Sequence, residues 1–143
     1  MASNPGSTDS PGTKARLVGR ALSQGAVASL LSEADVIFTS SLSDGMNLVP
    51  LQGVIAHTCR PDAKRGVIIA GQDTGAVRTY REFAHDGLRP VDPLSPDDMD
   101  AALRESLDNS SPRVSDRFGL AVRALDAHHW AQRFLAELHE VTG

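Results

Sequence analysis

The chain has 143 residues, the size of one ordinary domain. Its 14 Lys and Arg against 18 Asp and Glu leave a formal net charge of −4, the wrong sign for a general nucleic-acid binder. No apolar run approaches the ~18 residues of a membrane span. The chain opens on no apolar signal stretch, and its single cysteine, Cys59, excludes an intrachain disulfide. The expectation is a cytoplasmic globular domain without a membrane or nucleic-acid partner.

Residues 1–13 are Ser, Pro, Gly and Asn with almost no apolar content, which predicts a disordered tail. From Lys14 the pattern turns helical: Val18, Ala21, Leu22, Val27, Leu30 and Leu31 recur at near-helical spacing, and Gly25 divides the run into two helices. Residues 35–39 form a short apolar, β-branched run that predicts a buried strand. A turn-rich loop over 40–45 leads into a helix over 46–58 with Leu48, Val49, Val54 and Ile55 on its apolar positions. After a polar loop over 60–65, residues 66–70 are apolar throughout, as suits a parallel strand covered on both faces. A second loop over 71–75 precedes a helix over 76–84, and residues 88–91 predict a third strand. Ser95, Pro96, Asp97 and Asp98 spell a helix start, with a cap, a proline in the first turn and acids at the positive dipole end. That helix ends near Leu107. Ser111 and Pro112 predict the start of another, ending near Leu125. A last helix is expected over 126–141, with Trp130, Phe134, Leu135 and Leu138 on one stripe.

Strands alternating with helices indicate α/β with a mostly parallel sheet. Three strands are fewer than the five or six of a complete doubly wound domain. The expected fold class is a partial Rossmann-like domain of about three parallel strands and C-terminal helices. In such sheets ligands bind beyond the carboxyl ends of the strands. The loops over 40–45 and 71–75 both lie there, and each opens a helix whose free N–H groups suit oxyanions. On spacing alone Asp44 reads as an N-cap before it reads as a ligand residue, and so do Asp73 and Thr74.

The residues Ser41 to Val49, and above all Asp44, Gly45, Met46, Asn47, Leu48 and Val49, resemble the donor-binding signature of the trehalose 6-phosphate synthases. These are retaining family 20 glycosyltransferases of GT-B fold. Residues 66–69 are similar to the next family strand, and Gly75 and Ala76 to the Gly-Ala pair of the next loop. Val91 to Pro93, Met99 to Leu103, and His129 and Trp130 with Phe134 and Leu138 follow in family order. The resemblance covers Gln24 to Val141. It implies that residues 14–143 are the C-terminal part of a nucleotide-sugar-binding domain and that the donor is a nucleotide-glucose. In the family the glucosyl group passes to glucose 6-phosphate, and no cofactor is implied. By resemblance, Asp44 accepts hydroxyls of the donor sugar, the N–H groups of Gly45, Met46 and Asn47 hold other sugar oxygens, and those of Leu48 and Val49 face the diphosphate. Gln52 stands where the family has a ribose-binding Glu.

The departures are specific. An amide at Gln52 has one acceptor oxygen and a donor nitrogen, where a carboxylate only accepts. Leu51 replaces a customary Lys, Ser43 a customary Arg, and Gln72, Asp73 and Thr74 replace a less polar stretch with an aromatic. The Arg and Lys that clamp the diphosphate in the family have no counterpart in matching context. Charged hydrogen bonds contribute roughly 1.5–3 kcal/mol each. Losing two lowers donor affinity by about 10²–10⁴. The chain is therefore expected to bind donor weakly and to be inactive alone. It then works with a complementary glycosyltransferase chain, by self-association, or as a non-catalytic binding module or remnant of the family.

Elsewhere the signals are bland. His128, His129 and His139 lack the ligand set of a zinc site, so no metal is expected. Cys59 reads as a buried or inert thiol, and His57 as a cation closing a helix. Arg78 and Arg81 read as a solvated face.

Overall fold

A computed structural model describes residues 18–126 together with 128, 131, 132 and 135. The expected tail over 1–13 and most of the last helix, including His129, Trp130 and Phe134, lie outside the described residues. Three strands, β1 (Val36–Thr39), β2 (Val67–Gly71) and β3 (Leu88–Val91), form one parallel sheet in the order β1-β2-β3. This is the partial Rossmann-like α/β arrangement that the alternation indicates. Helices α1 (Gln24–Glu33), α2 (Leu48–Thr58), α3 (Gly75–Tyr80), α4 (Pro96–Leu107) and α5 (Asp116–Ala124) complete it.

Every residue of β2 is buried. Its side chains alternate between two cores because successive residues of a strand face opposite sides. Ile68 and Ala70 join Ile37, Val54, Val77 and Phe118 on one face, while Val67 and Ile69 join Val91 and Ala102 on the other. The first core is closed by rings: Phe83 and Phe118 stack at 4.8 Å between centroids, with Tyr80 tilted against both. Helix α2 lies close on the sheet because Gly53 has no side chain there; a Cβ would stand 2.5 Å from Ile37 Cδ1.

Several boundaries differ from the sequence reading. Residues 18–23 are not helical, although Val18, Ala21 and Leu22 fit a helical period. Ser23 caps α1 instead, accepting from Ala26 N, and Gly25 sits in its first turn rather than dividing two helices. Helix α2 starts at Leu48 rather than at 46, because Asn47 is its cap. Helix α3 is short and passes into a 3₁₀ turn over Arg81–Phe83. Ser111 and Pro112 start no helix. That stretch stays extended as Val114 donates its N–H to Gly66 O (3.0 Å), and α5 begins after Ser115, which accepts from Phe118 N. Among the described residues no helix is long and apolar enough to cross a membrane.

His57 also departs from expectation. It is wholly buried, and its Nδ1 accepts the Gly66 N–H at 2.7 Å, which leaves the proton on Nε2. Nε2 has no hydrogen-bond partner among the described residues. Burial, then the charge of Arg60, lowers the pKa to about 4 against the opposing effects of Asp35 and the Leu31 carbonyl. The residue is a neutral core pin between α2 and β2, not a cation closing a helix. Protonation favours the unfolded chain wherever the folded pKa is the lower one. Stability is therefore full above pH 6.5, and this group removes about 3 kcal/mol as pH falls towards 4, at about 1.4 kcal/mol per unit. An NMR titration of the His57 ring should show a midpoint near 4; an ordinary midpoint would contradict this packing.

Candidate functional site

The carboxyl ends of β1 and β2 open into two loops that run side by side. Asp44 and Thr74 form a parallel β-bridge, and Gly75 N donates to Asp44 O at 2.9 Å. The ladder of the two strands, which pairs Thr39 with Ala70, thus resumes beyond them with one residue more on the β1 side. Thr74 is buried and caps α3: its Oγ1 accepts from Val77 N at 3.5 Å and donates to Gly71 O at 2.8 Å. Between the two cap readings of this loop, the structure chooses Thr74 over Asp73.

Asp44 is not a cap. The α2 cap is Asn47, whose Oδ1 accepts from Val49 N at 3.0 Å. Asp44 lies three residues earlier in the loop, half-buried, and its carboxylate makes no hydrogen bond or ion pair with the described residues. The N–H groups of Gly45, Met46, Asn47 and Leu48 likewise meet no acceptor among the described residues. Of the helix-start amides singled out in the sequence, only that of Val49 is already satisfied, by Asn47. The loop therefore presents one free carboxylate beside a run of free N–H groups at the positive end of an 11-residue helix. Such a set accepts hydroxyl protons and stabilises oxyanions.

Past this loop, α1 and α2 enclose a groove of about 910 Å³. Leu22, Val27 and Leu31 line one side; Leu48, Leu51 and Gln52 line the other. Gln52 is exposed on the helix face that Leu48 and Leu51 share, one turn beyond the amide run. None of the α1 residues is buried. The groove is apolar except for a few groups, of which Gln52 is one. Leu22 was readable in the sequence only as a helix position; its place on this wall follows from the extended segment before α1.

Asp73 is exposed and stands 3.8 Å from Arg78 across the first turn of α3. Its charge is therefore partly met by Arg78 on α3, which itself lies exposed on the solvated face expected from the sequence. Among the described residues no group of three His, Cys, Asp or Glu could hold a metal ion. His128 is exposed and hydrogen-bonds to Gln132 at 3.0 Å. Cys59 is exposed as the C-cap of α2, so it is not the buried thiol that the sequence also suggested.

Comparison with known proteins shows the family of the chain. A family model described as glycosyltransferase family 20 matches residues 13–140. The chain belongs to glycosyltransferase family 20. Within that family it is 33% identical over 112 residues to the alpha,alpha-trehalose-phosphate synthase [UDP-forming] of Yarrowia lipolytica. It is 32% identical over 114 residues to the trehalose-6-phosphate synthase of Cronobacter sakazakii. It is 29% identical over 124 residues to alpha,alpha-trehalose-phosphate synthase [UDP-forming] 1 of Arabidopsis thaliana. These alignments cover 76%, 76% and 85% of this chain but 22%, 22% and 12% of the relatives. The chain thus spans about a fifth or less of the length of the family 20 proteins it matches.

The Asn47 cap is the local contact that sets where the α2 amides point. Replacing a capping Asn by Ala removes about 1 kcal/mol. Asn47→Ala should lower the unfolding free energy by that amount in a urea melt and release the Val49 N–H to fast exchange.

Proposed function

We propose that this domain binds the nucleotide-glucose donor of a trehalose-phosphate-synthase-like glycosyltransferase, with the diphosphate over the start of α2. The observation that carries the reading is the unpaired set at one point: the Asp44 carboxylate and the N–H groups of Gly45 to Leu48. These positions resemble the donor-binding signature of the family to which the chain belongs, which supports the reading. Asp44 accepts hydroxyls of the sugar, and Gly45, Met46 and Asn47 donate to its other oxygens. The Leu48 N–H and the helix dipole face the diphosphate. Val49, whose N–H is held by Asn47, contributes through the dipole and donates directly only after the cap moves. Preorganised donors aimed at a departing diphosphate stabilise the charge that develops on it. Gln52, on the groove wall next along α2, takes a ribose hydroxyl, and the apolar groove receives the nucleoside.

The same reading assigns the acceptor to protein outside these residues, in a complementary glycosyltransferase chain or a second copy. Two features of the sheet support an added strand at β1. On β3, the residues whose carbonyls accept from β2 are Gly87 and Val91, so Leu88 and Pro90 face the outer edge. Pro90 has no N–H, and its carbonyl is taken by Arg89 Nη1 at 2.8 Å, so that edge is closed to pairing. The outer edge of β1 has no strand partner among the described residues, and Phe38 on that strand is exposed. A single free cysteine suits a cytoplasmic setting for this assembly.

An amide-resolved NMR titration with UDP-glucose, GDP-glucose and free UDP tests the donor site. UDP-glucose should bind with a Kd of about 1 mM, two or more orders weaker than a fully clamped donor. It should shift the amides of residues 44–48. Asp44→Ala should abolish the preference for UDP-glucose over UDP. Gln52→Glu should tighten UDP by about tenfold, since a carboxylate accepts from both ribose hydroxyls. No shift at about 10 mM of any of the three ligands, about ten times the expected Kd, would sink the donor reading.

A further inference from the structure

The donor loop after β1 does not hold its own shape. It contributes no internal hydrogen bond ahead of the Asn47 cap; its fixed points are all on the loop after β2. Gly75 N donates to Asp44 O, and Asp44 bridges Thr74. The two backbones also touch where no side chain fits. A Cβ on Gly75 would stand 1.7 Å from Gly45 O, and one on Gly71 would stand 2.1 Å from Ser41 O. Thr74 is 1% exposed and ties its hydroxyl back to Gly71 O, the last residue of the fully buried strand β2. A continuous path of short contacts thus runs from the core through Thr74 and Gly75 to the backbone of Asp44.

We propose that Thr74 and Gly75 are positioning residues of the donor site, which set where the Asp44 carboxylate and the Gly45 N–H stand and so fix affinity for the sugar half of a nucleotide-sugar. This rests on the donor reading above. The Gly75 hydrogen bond holds the Asp44 carbonyl, and a residue held by its carbonyl sends its side chain in one direction. The nucleoside half is held independently. Gln52 rides on α2, which Gly53 and Val54 seat against the sheet. Displacing the latch therefore separates the two halves of the ligand. A Cβ at position 75 forces the loops apart by more than about 1 Å, a misplacement that in preorganised sites costs one or two orders of magnitude.

The test is Gly75→Ala in the intact chain, read by amide-resolved NMR with UDP-glucose and with UDP. The latch predicts altered amide shifts at 44–47 with β2 and α4 unchanged. It also predicts a Kd for UDP-glucose raised at least about fivefold, with the Kd for UDP changed less than about twofold. A general loss of packing would weaken both ligands by the same factor, and that result overturns the proposal. So does an unchanged Kd for UDP-glucose. Thr74→Val, which keeps the shape and removes both hydroxyl hydrogen bonds, decides the matter if Gly75→Ala does not fold, on the same two Kd values. If the unaltered chain binds neither ligand, the donor reading fails on its own. The latch is then judged by structure alone: slow exchange of the Gly75 N–H and shifted 44–47 amides in the variant support it, and their absence overturns it.

Discussion

The structure depends on the burial of one strand. All five residues of β2 are shielded from water, and its neighbours on both edges pair with it in parallel. A strand in that position must place every backbone polar group in a ladder, because an unpaired one in an apolar interior costs a few kcal/mol. Its flanking contacts follow from this demand. Gly66, just before it, donates to His57 Nδ1 and accepts from Val114; Gly71, at its end, accepts from Thr74 Oγ1. The core thus fixes both ends of β2, and whatever touches those ends inherits their position.

The site inherits it at the carboxyl end. The loop after β1 is long and glycine-containing and would sample many conformations alone. It is held because the ladder between β1 and β2 resumes at Asp44 and Thr74. This explains how a loop with free N–H groups and a free carboxylate stays ordered enough to be a binding surface. Its order comes from groups on the far side of the backbone, which leaves the near side unpaired.

Periodicity and turn chemistry made most of the fold legible. The apolar run over 66–70 reads as a doubly covered strand, and β2 is one; Ser95, Pro96 and Asp98 read as a helix start, and α4 begins there. The failures have a shared cause. Val18, Ala21 and Leu22 fit a helical period, but one face of period 3.6 does not establish a helix when a better cap, Ser23, lies inside the run. Ser111 and Pro112 fit a start signal, but an extended path lets Val114 pair with Gly66. At the site, the string from Asp44 to Val49 was legible because its residues act in sequence along one helix start. Thr74 was legible as a cap, but the contacts of Thr74 and Gly75 with the loop after β1 and the place of Leu22 on the groove were not, because each depends on segments far apart in the chain.

The two ends of α2 show how the chain divides structure from binding. At the C-terminal end the polar groups are mostly engaged, His57 Nε2 excepted. Cys59 and Arg60 donate back to Ala56 and His57, Thr58 Oγ1 bonds to Ile55, and Arg60 Nη1 reaches the Ala34 carbonyl. At the N-terminal end one side chain, Asn47, satisfies one amide, and the amides before it remain open. Helix ends in water are often left to solvent, so open amides alone say little. Here the open end is also the one beside an unpaired carboxylate, at the carboxyl edge of a parallel sheet, on a loop whose backbone is fixed from behind. Solvation explains the amides but not the anchoring. A loop held by Gly75 and Thr74 so that its polar groups stay unused is the arrangement expected where a ligand supplies the missing partners.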